Sequence, residues 1–188
     1  MAKKKSKAGR RRPASRRRPA RASLLGGAPA VAPVAALPYP AELQQYSNWC
    51  WAAVGSCTDR FYRGTKIQCE VAGLQFPDDD CCADAGPCNE PSRLDEVLDA
   101  LRRLQNWSEG YAAKADLQSE IGKKHVVAAR IEWNGGGGHF IAMVGYDSPS
   151  DIVVVEDPAF GRKEVPFDEL RDHYLGKGFW THTYWTKA

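Results

Sequence analysis

The hydrophobic periodicity changes near residue 125, and this change restricts the fold to a mixed architecture. Before residue 125, apolar residues recur at helical spacing, which predicts helices over 49–62, 68–76, 92–104 and 114–123. After it, short apolar runs predict a helix over 166–175 and strands over 125–133, 139–146, 152–156 and 179–185. A helical half followed by a strand-rich half indicates an α+β protein with two packed lobes.

Charge divides the chain into a basic head and an acidic body. Residues 1–22 carry eleven Lys or Arg and no acid, so a formal net charge of +3 for the whole chain leaves −8 for residues 23–188. We expect residues 1–39 to be a disordered basic tail with an Ala/Pro/Gly linker, and residues 40–188 to be the folded domain. A solvated tail is the simplest interpretation of residues 1–22, and weak contact with nucleic acid or an anionic surface is the alternative. No apolar run is long enough to predict a transmembrane segment.

The stretch QQYSNWCWAA places a single thiol, Cys50, at the predicted start of a helix. Asn48 is a good N-cap residue, so Cys50 would be the second helical residue. Backbone N–H groups at that position lack helical partners, and the helix dipole adds partial positive charge. Both effects favour a nucleophilic thiolate and would stabilise the negative oxygen of a tetrahedral intermediate. The alternative is a buried cysteine that only packs.

His139 is the predicted general base, because a run of four glycines precedes it and leaves its ring accessible. A hairpin centred on Ser148 would place His139 opposite Asp157, and one centred on Pro149 would make them diagonal neighbours. In both registers the two side chains share one face of the sheet. A loop centred between residues would separate them onto opposite faces. The predicted roles are nucleophile for Cys50, base and then acid for His139, and orienting carboxylate for Asp157.

Together, QQYSNWCWAA, GGHFIAMVGYD and VVVEDPAFG resemble the papain-like cysteine proteases of the AvrRpt2 type, a bacterial group, over residues 42–186. The resemblance implies a papain-like fold, in which an N-terminal helical lobe carries Cys50 and a C-terminal antiparallel β lobe carries His139 and Asp157, with a cleft between them. It also implies hydrolysis of a peptide or isopeptide bond in a polypeptide substrate through a thioester. Gln44, six residues before Cys50, matches the position of the glutamine that assists the oxyanion.

Five further cysteines accompany Cys50, and no cofactor or metal is expected. Cys69, Cys81, Cys82 and Cys88 lack the short paired spacing of zinc ligands, so disulfides that pin the loop 77–91 are the better interpretation. Their pairing is open. Disulfides would favour secretion over a cytoplasmic location, which the sequence otherwise leaves undecided.

Two other functions are alternatives to a peptidase. A papain-fold acyltransferase or amidase would keep the Cys50, His139 and Asp157 set, and a non-catalytic binding protein would act through its basic tail. The pair Gly26-Gly27 between the tail and the domain also suggests removal of the head near Gly27, with a flexible linker as the simpler interpretation. Substrate, oligomeric state and regulation are not indicated by the sequence.

Overall fold

The computed structural model describes residues 34–188, so the predicted disorder of the basic head lies outside the described residues. The elements follow one another as α1 (Cys50–Phe61), α2 (Gln68–Gln75), α3 (Leu94–Ala100), β1 (Leu104–Glu109), α4 (Lys114–Gly122), β2 (Val127–Trp133), β3 (Gly138–Asp147), β4 (Ile152–Asp157), β5 (Gly161–Pro166), α5 (Phe167–Asp172) and β6 (Gly178–Thr186).

The strands form one six-stranded antiparallel sheet in the order β1-β6-β2-β3-β4-β5. Helices α1, α2 and α3 precede it in the chain; α1 and α3 pack on one of its faces with α2 against them, while α4 and α5 pack on the other face. This arrangement confirms the predicted α+β, papain-like class, with a helical lobe first and an antiparallel β lobe second.

Both faces of the central strands are buried, which explains why their sequences are almost continuously apolar. Successive side chains of a strand point to opposite faces. Accordingly Ala142 and Val144 of β3 join the core beneath α1, while Ile141 and Met143 join the core beneath α4 and α5. The sheet therefore separates two hydrophobic cores, and the first of them holds Cys50.

The periodicity did not predict strands β1 and β5. Both lie at edges of the sheet, and their sequences LQNWSE and GRKEVP carry few apolar residues because they are largely exposed. Helix α3 is shorter than the predicted 92–104, since Arg93 in extended conformation precedes its first residue, Leu94. Edge strands and helix ends are the elements for which the sequence pattern carries least information.

Contacts with the domain begin before residue 40, the predicted domain boundary. Residues 34–39, which we call the strap, pack against the core beneath α1. The backbone N–H of Leu37 donates to the carbonyl of Val144 at 2.8 Å, and the Tyr39 hydroxyl donates to the carbonyl of Val54 at 3.1 Å. The strap thus ties β3 to the back of α1.

None of the helices in residues 34–188 is both long and apolar enough to cross a membrane.

Gly145 is the position where the strap passes closest to the sheet. A Cβ atom at Gly145 would lie 2.6 Å from the carbonyl oxygen of Ala35 and 2.8 Å from Val154. We expect Gly145→Ala to lower the free energy of unfolding by about 1–3 kcal/mol, as overpacking does elsewhere, in urea denaturation. Gly122→Ala is the matched control, because a Cβ there meets no atom within 4 Å. Equal stability of both variants would show that the strap does not constrain this strand.

Candidate active site

Cys50 is the first residue of α1, and the helix begins without a capping side chain. The N-cap is Trp49, not the predicted Asn48. Asn48 donates two hydrogen bonds to Asn89 instead. Its N–H donates to Asn89 Oδ1 at 3.0 Å, and its side-chain amide donates to the Asn89 carbonyl at 2.7 Å. An uncapped N-terminus leaves the first N–H groups of the helix available at the position of the Cys50 thiol.

His139 is the second residue of β3, directly after the glycine run. Gly136 and Gly137 adopt positive φ angles of 89° and 86°, which form the turn from β2 into β3. Gly138 lies against the Arg130 side chain, and a Cβ there would come within 2.8 Å of its guanidinium. The glycines therefore form a tight turn and admit Arg130, in addition to leaving the His139 ring accessible from the cleft.

A β-bulge at Val144 brings His139 and Asp157 to the same face of the sheet. The hairpin pairs Asp147 with Ile152, so its loop is centred between residues, and this register alone would place the two side chains on opposite faces. The register shifts between Met143 and Gly145, after which Ala142 pairs with Glu156. Neither hairpin centre considered from the sequence is correct at the turn, but the bulge restores the diagonal arrangement.

Asp157 holds the His139 ring in place. Its Oδ1 accepts hydrogen bonds from His139 Nε2 at 2.8 Å and from the backbone N–H groups of Ala159 at 2.8 Å and Phe160 at 3.0 Å. Its Oδ2 accepts the Tyr174 hydroxyl at 2.7 Å. Both oxygens of a buried carboxylate are thereby satisfied, which fixes the tautomer of His139 and leaves Nδ1 for the thiol.

The protonation states follow from these contacts. Burial opposes a charge on Asp157, but hydrogen bonds from His139 and Tyr174 hold the pKa of this carboxyl below its usual value. Burial also opposes a charge on His139, yet hydrogen bonding to Asp157 and to Cys50 raises the pKa of His139 to about 9. Below that pH the ring is therefore an imidazolium between a carboxylate and the sulfur of Cys50.

Gln44 lies in the same cleft as Cys50, but its amide group already has partners. Nε2 donates to the carbonyls of Tyr46 at 2.9 Å and Ser47 at 2.8 Å, while the buried Oε1 has no hydrogen-bond partner among residues 34–188. The backbone N–H of Gln44 donates to the Pro158 carbonyl at 2.7 Å, next to Asp157. Gln44 thus lines the same cleft as Cys50, and its hydrogen bonds hold the turn before α1.

The thiol and imidazole open into a cleft of about 510 Å³ between the two lobes. The helical lobe lines it with Gln44, Ser47, Asn48, Cys50, Trp51, Pro91 and Ser92, and the β lobe with Arg130, Trp133, Gly137, Gly138, His139, Phe140, Ala159, Phe160 and Lys177. A smaller cavity of about 210 Å³ touches Asp157 from behind, but neither Cys50 nor His139 lines it. Of these two cavities in residues 34–188, the larger is the one that Cys50 and His139 line.

Two disulfides constrain the loop 77–91, and two tryptophan indoles bind this loop to the start of α1. Cys69 pairs with Cys82 and Cys81 with Cys88, which confirms the predicted disulfides and settles their pairing. The carbonyl of Cys88 accepts the Trp49 indole N–H at 2.8 Å, and that of Glu90 accepts the Trp51 indole N–H at 3.1 Å. The two tryptophans around Cys50 therefore anchor the nucleophile helix to a covalently closed loop.

Tyr174 and Trp133 are functional residues that the sequence did not single out. Trp133 stacks on the His139 ring with centroids 5.5 Å apart, and Tyr174 stacks on Trp133 at 6.4 Å. Tyr174 is fully buried, so its hydroxyl is confined to the Asp157 carboxylate. For Tyr174 the sequence shows only an aromatic residue in the otherwise polar segment RDHYLGKG, and such a residue by itself indicates packing.

The chain matches the family model of the Peptidase_C39 like family over residues 36–182. It belongs to this family. It is a papain-like cysteine protease, a hydrolase, as the resemblance implied. The family match spans all of the helical lobe and nearly all of the β lobe, and it includes Cys50, His139, Asp157 and Gln44.

One solved structure supports the fold, and a second is reported for its similarity alone. A crystal structure of a double glycine motif protease from an AMS/PCAT transporter, in complex with the leader peptide, aligns with a TM-score of 0.51 and 18% identity, over 81% of this chain and 94% of that chain. Xylellain, a cysteine protease from Xylella fastidiosa, aligns with a TM-score of 0.43 and 14% identity, over 85% and 88%. Comparison with curated proteins gave no match.

Tyr174→Phe tests whether Tyr174 positions Asp157. The raised pKa of His139 means that its imidazolium is present below pH about 9 and is lost as the pH rises through that value. Without the Tyr174 hydroxyl, the carboxylate acts more strongly on His139, so the alkaline limb of kcat/KM should move to higher pH. Oδ2 also loses its buried donor, which should cost about 1–3 kcal/mol of unfolding free energy.

Tyr146→Phe is the control for this variant, since Tyr146 donates to Asp151 at 2.7 Å and lies outside the cleft. It removes the same kind of bond and should leave the pH profile unchanged. An unshifted alkaline limb in Tyr174→Phe would mean that Tyr174 only packs.

Removing each disulfide separately tests the anchoring of α1. Replacing Cys81 and Cys88 by serine should lower the unfolding free energy by about 2 kcal/mol and also reduce kcat, because the carbonyl of residue 88 holds Trp49. Replacing Cys69 and Cys82 should destabilise the domain with a smaller effect on kcat. Equal losses of kcat in the two double variants would contradict a specific role for Cys88.

Proposed function

We propose that this protein is a cysteine peptidase that hydrolyses peptide bonds through Cys50, His139 and Asp157, with a thioester intermediate. The observation that carries the proposal is the His139 ring, which Asp157 holds through Nε2 at 2.8 Å and which lines one open cleft together with Cys50. A thiol, a base and an orienting carboxylate in this order are the groups that acyl transfer from an amide requires.

The reaction has two stages in this arrangement. With the proton of the Cys50 and His139 pair on the imidazole ring, the Cys50 sulfur attacks the carbonyl carbon of the scissile bond as a thiolate. The tetrahedral intermediate collapses when His139 returns the proton to the leaving amine, which forms the thioester and releases the C-terminal part of the substrate. His139 then deprotonates water, which attacks the thioester, and the carboxylic acid product leaves as Cys50 regains its proton.

The oxyanion of both intermediates would lie at the uncapped start of α1. Backbone N–H groups at a helix N-terminus point outward and carry partial positive charge. Gln44 can add a donor only if one of its amide hydrogens leaves the carbonyl of Tyr46 or Ser47. We therefore assign the principal oxyanion contact to the Cys50 N–H, with Gln44 as the residue that holds the preceding turn and assists from it.

We propose a pair of glycines before the scissile bond as the substrate signal. A protease that resembles this chain in fold is named for a double glycine motif. This chain carries Gly26-Gly27, seven residues before the start of the strap, although both glycines lie outside the described residues. Removal of its own head after Gly27 is the corresponding proposal for this chain.

Two finer assignments accompany this function. The AvrRpt2-type resemblance of QQYSNWCWAA within the papain-like peptidases stays a prediction. An oxidising compartment is supported by the disulfides Cys69–Cys82 and Cys81–Cys88, since such bonds persist mainly outside the cytosol.

Three substitutions test the catalytic roles. Cys50→Ala and His139→Ala should each lower kcat/KM by about a thousandfold or more, whereas Asp157→Asn should retain part of the activity because the residue orients rather than reacts. The measurement is hydrolysis of a peptide that contains the sequence SLLGGAPAV, with products located by mass spectrometry. Cys57→Ala is the control, since Cys57 is the other free cysteine and lines only the cavity behind Asp157.

The rival functions give different results in the same experiment. An acyltransferase would form amide products when a primary amine is added, and a non-catalytic protein would leave the peptide intact. Iodoacetamide should alkylate Cys50 first in the wild type and more slowly in His139→Ala. Intact masses of wild type and Cys50→Ala that both retain residues 1–27 would exclude self-processing.

A further inference from the structure

The charge of the cleft is opposite to the charge of the body that surrounds it. Residues 23–188 carry a formal net charge of −8, yet no aspartate or glutamate is among the residues that line the cleft. The two permanently cationic side chains in the lining are Arg130 and Lys177. A positively charged cleft in an otherwise acidic protein favours substrates that carry negative charge.

Only one of these two cations lacks an acidic partner. The Arg130 guanidinium donates to Glu132 at 2.9 Å and to the Thr181 hydroxyl at 3.0 Å. Lys177 is exposed, and within residues 34–188 no carboxylate lies within 4.0 Å of its ammonium group. The unneutralised positive charge of the cleft therefore lies at Lys177.

Aromatic rings and backbone hydrogen bonds hold this charge in place. The Lys177 ammonium lies 5.2 Å from the Trp133 ring centroid and 5.4 Å from that of Phe160, within range of cation–π attraction. The Lys177 N–H donates to the Tyr174 carbonyl at 3.1 Å, and the Lys177 carbonyl accepts from the Asn134 N–H at 2.8 Å. The turn that carries Lys177 thus begins at the tyrosine that orients Asp157.

The same two rings surround the imidazole. Trp133 stacks on His139, and Phe160 meets its edge with centroids 6.2 Å apart. In the proposed reaction His139 gives its proton to the leaving amine, so substrate residues that follow the scissile bond lie against the groups around this ring. Among the side chains next to Trp133 and Phe160 at this ring, Lys177 is the one that offers a positive charge to the substrate.

We propose that Lys177 forms a subsite for a carboxylate side chain of the polypeptide substrate, just after the scissile bond. This rests on the proposed peptidase function and adds a selectivity to it. An ion pair at a partly exposed site is worth a few tenths to about 1 kcal/mol, which predicts a preference of about two- to fivefold. The preference should weaken as salt is added, because exposed charges are screened.

Two peptides based on SLLGGAPAV, one with Ala28→Glu and one with Ala28→Lys, test the subsite. The wild type should cleave the glutamate peptide with a kcat/KM about two- to fivefold above that of the lysine peptide. Lys177→Glu should reverse the order. Lys163→Glu is the matched control, since its ammonium lies 6.0 Å from the Phe160 ring but outside the cleft, and it should keep the wild-type order.

Binding separates this proposal from the peptidase proposal. Fluorescence anisotropy of the two labelled peptides with Cys50→Ala, and with Cys50→Ala combined with Lys177→Glu, reports the subsite without turnover. Tighter binding of the glutamate peptide that reverses with Lys177→Glu supports the subsite even if the wild type cleaves neither peptide, which would overturn the peptidase function alone. Equal binding and equal cleavage of both peptides would overturn the role of Lys177 and leave the peptidase function intact.

Discussion

The hydrogen bond between His139 and the buried carboxylate of Asp157 is the contact on which the site depends. A charged carboxylate away from water is costly unless its oxygens are satisfied, and here four donors from three separate segments converge on it. The end of β4 supplies the carboxylate, the chain just after it supplies two backbone N–H groups, and Tyr174 supplies a hydroxyl. The carboxylate consequently joins β3, β4 and the turn before β6 at the position where the imidazole must be held.

The nucleophile is held by a separate mechanism. Helix α1 begins without a side-chain cap, which leaves its N–H groups free for chemistry but gives up the stabilisation that a cap provides, about 1 kcal/mol. The loop 77–91 replaces that stabilisation through the indoles of Trp49 and Trp51, and its own shape is fixed by two disulfides. Each half of the site thus has its own support, one covalent in the helical lobe and one electrostatic in the β lobe.

The sequence allowed the lobe order, the central strands and the Cys50, His139 and Asp157 set to be predicted, because each has a local signature. Buried strands are apolar without interruption, and a thiol at a helix start or a histidine after glycines stands out by position. Tyr174 and the N-cap at Trp49 could not be predicted, since both depend on contacts between segments distant in sequence. Edge strands β1 and β5 were not predicted, because their largely exposed residues show no periodic pattern of apolar side chains.

The bulge at Val144 also constrains how this fold tolerates insertions. The pairing at the turn between β3 and β4 would by itself place His139 and Asp157 on opposite faces of the sheet. The extra residue on β3 brings them to the same face. Removing one residue from β3 between His139 and Asp147, with the pairing at the hairpin end kept, would turn the imidazole to the face opposite its carboxylate. A residue inserted in the largely exposed loop 148–151 leaves the strand pairs unchanged, so this hairpin tolerates changes of length at its tip but not along β3.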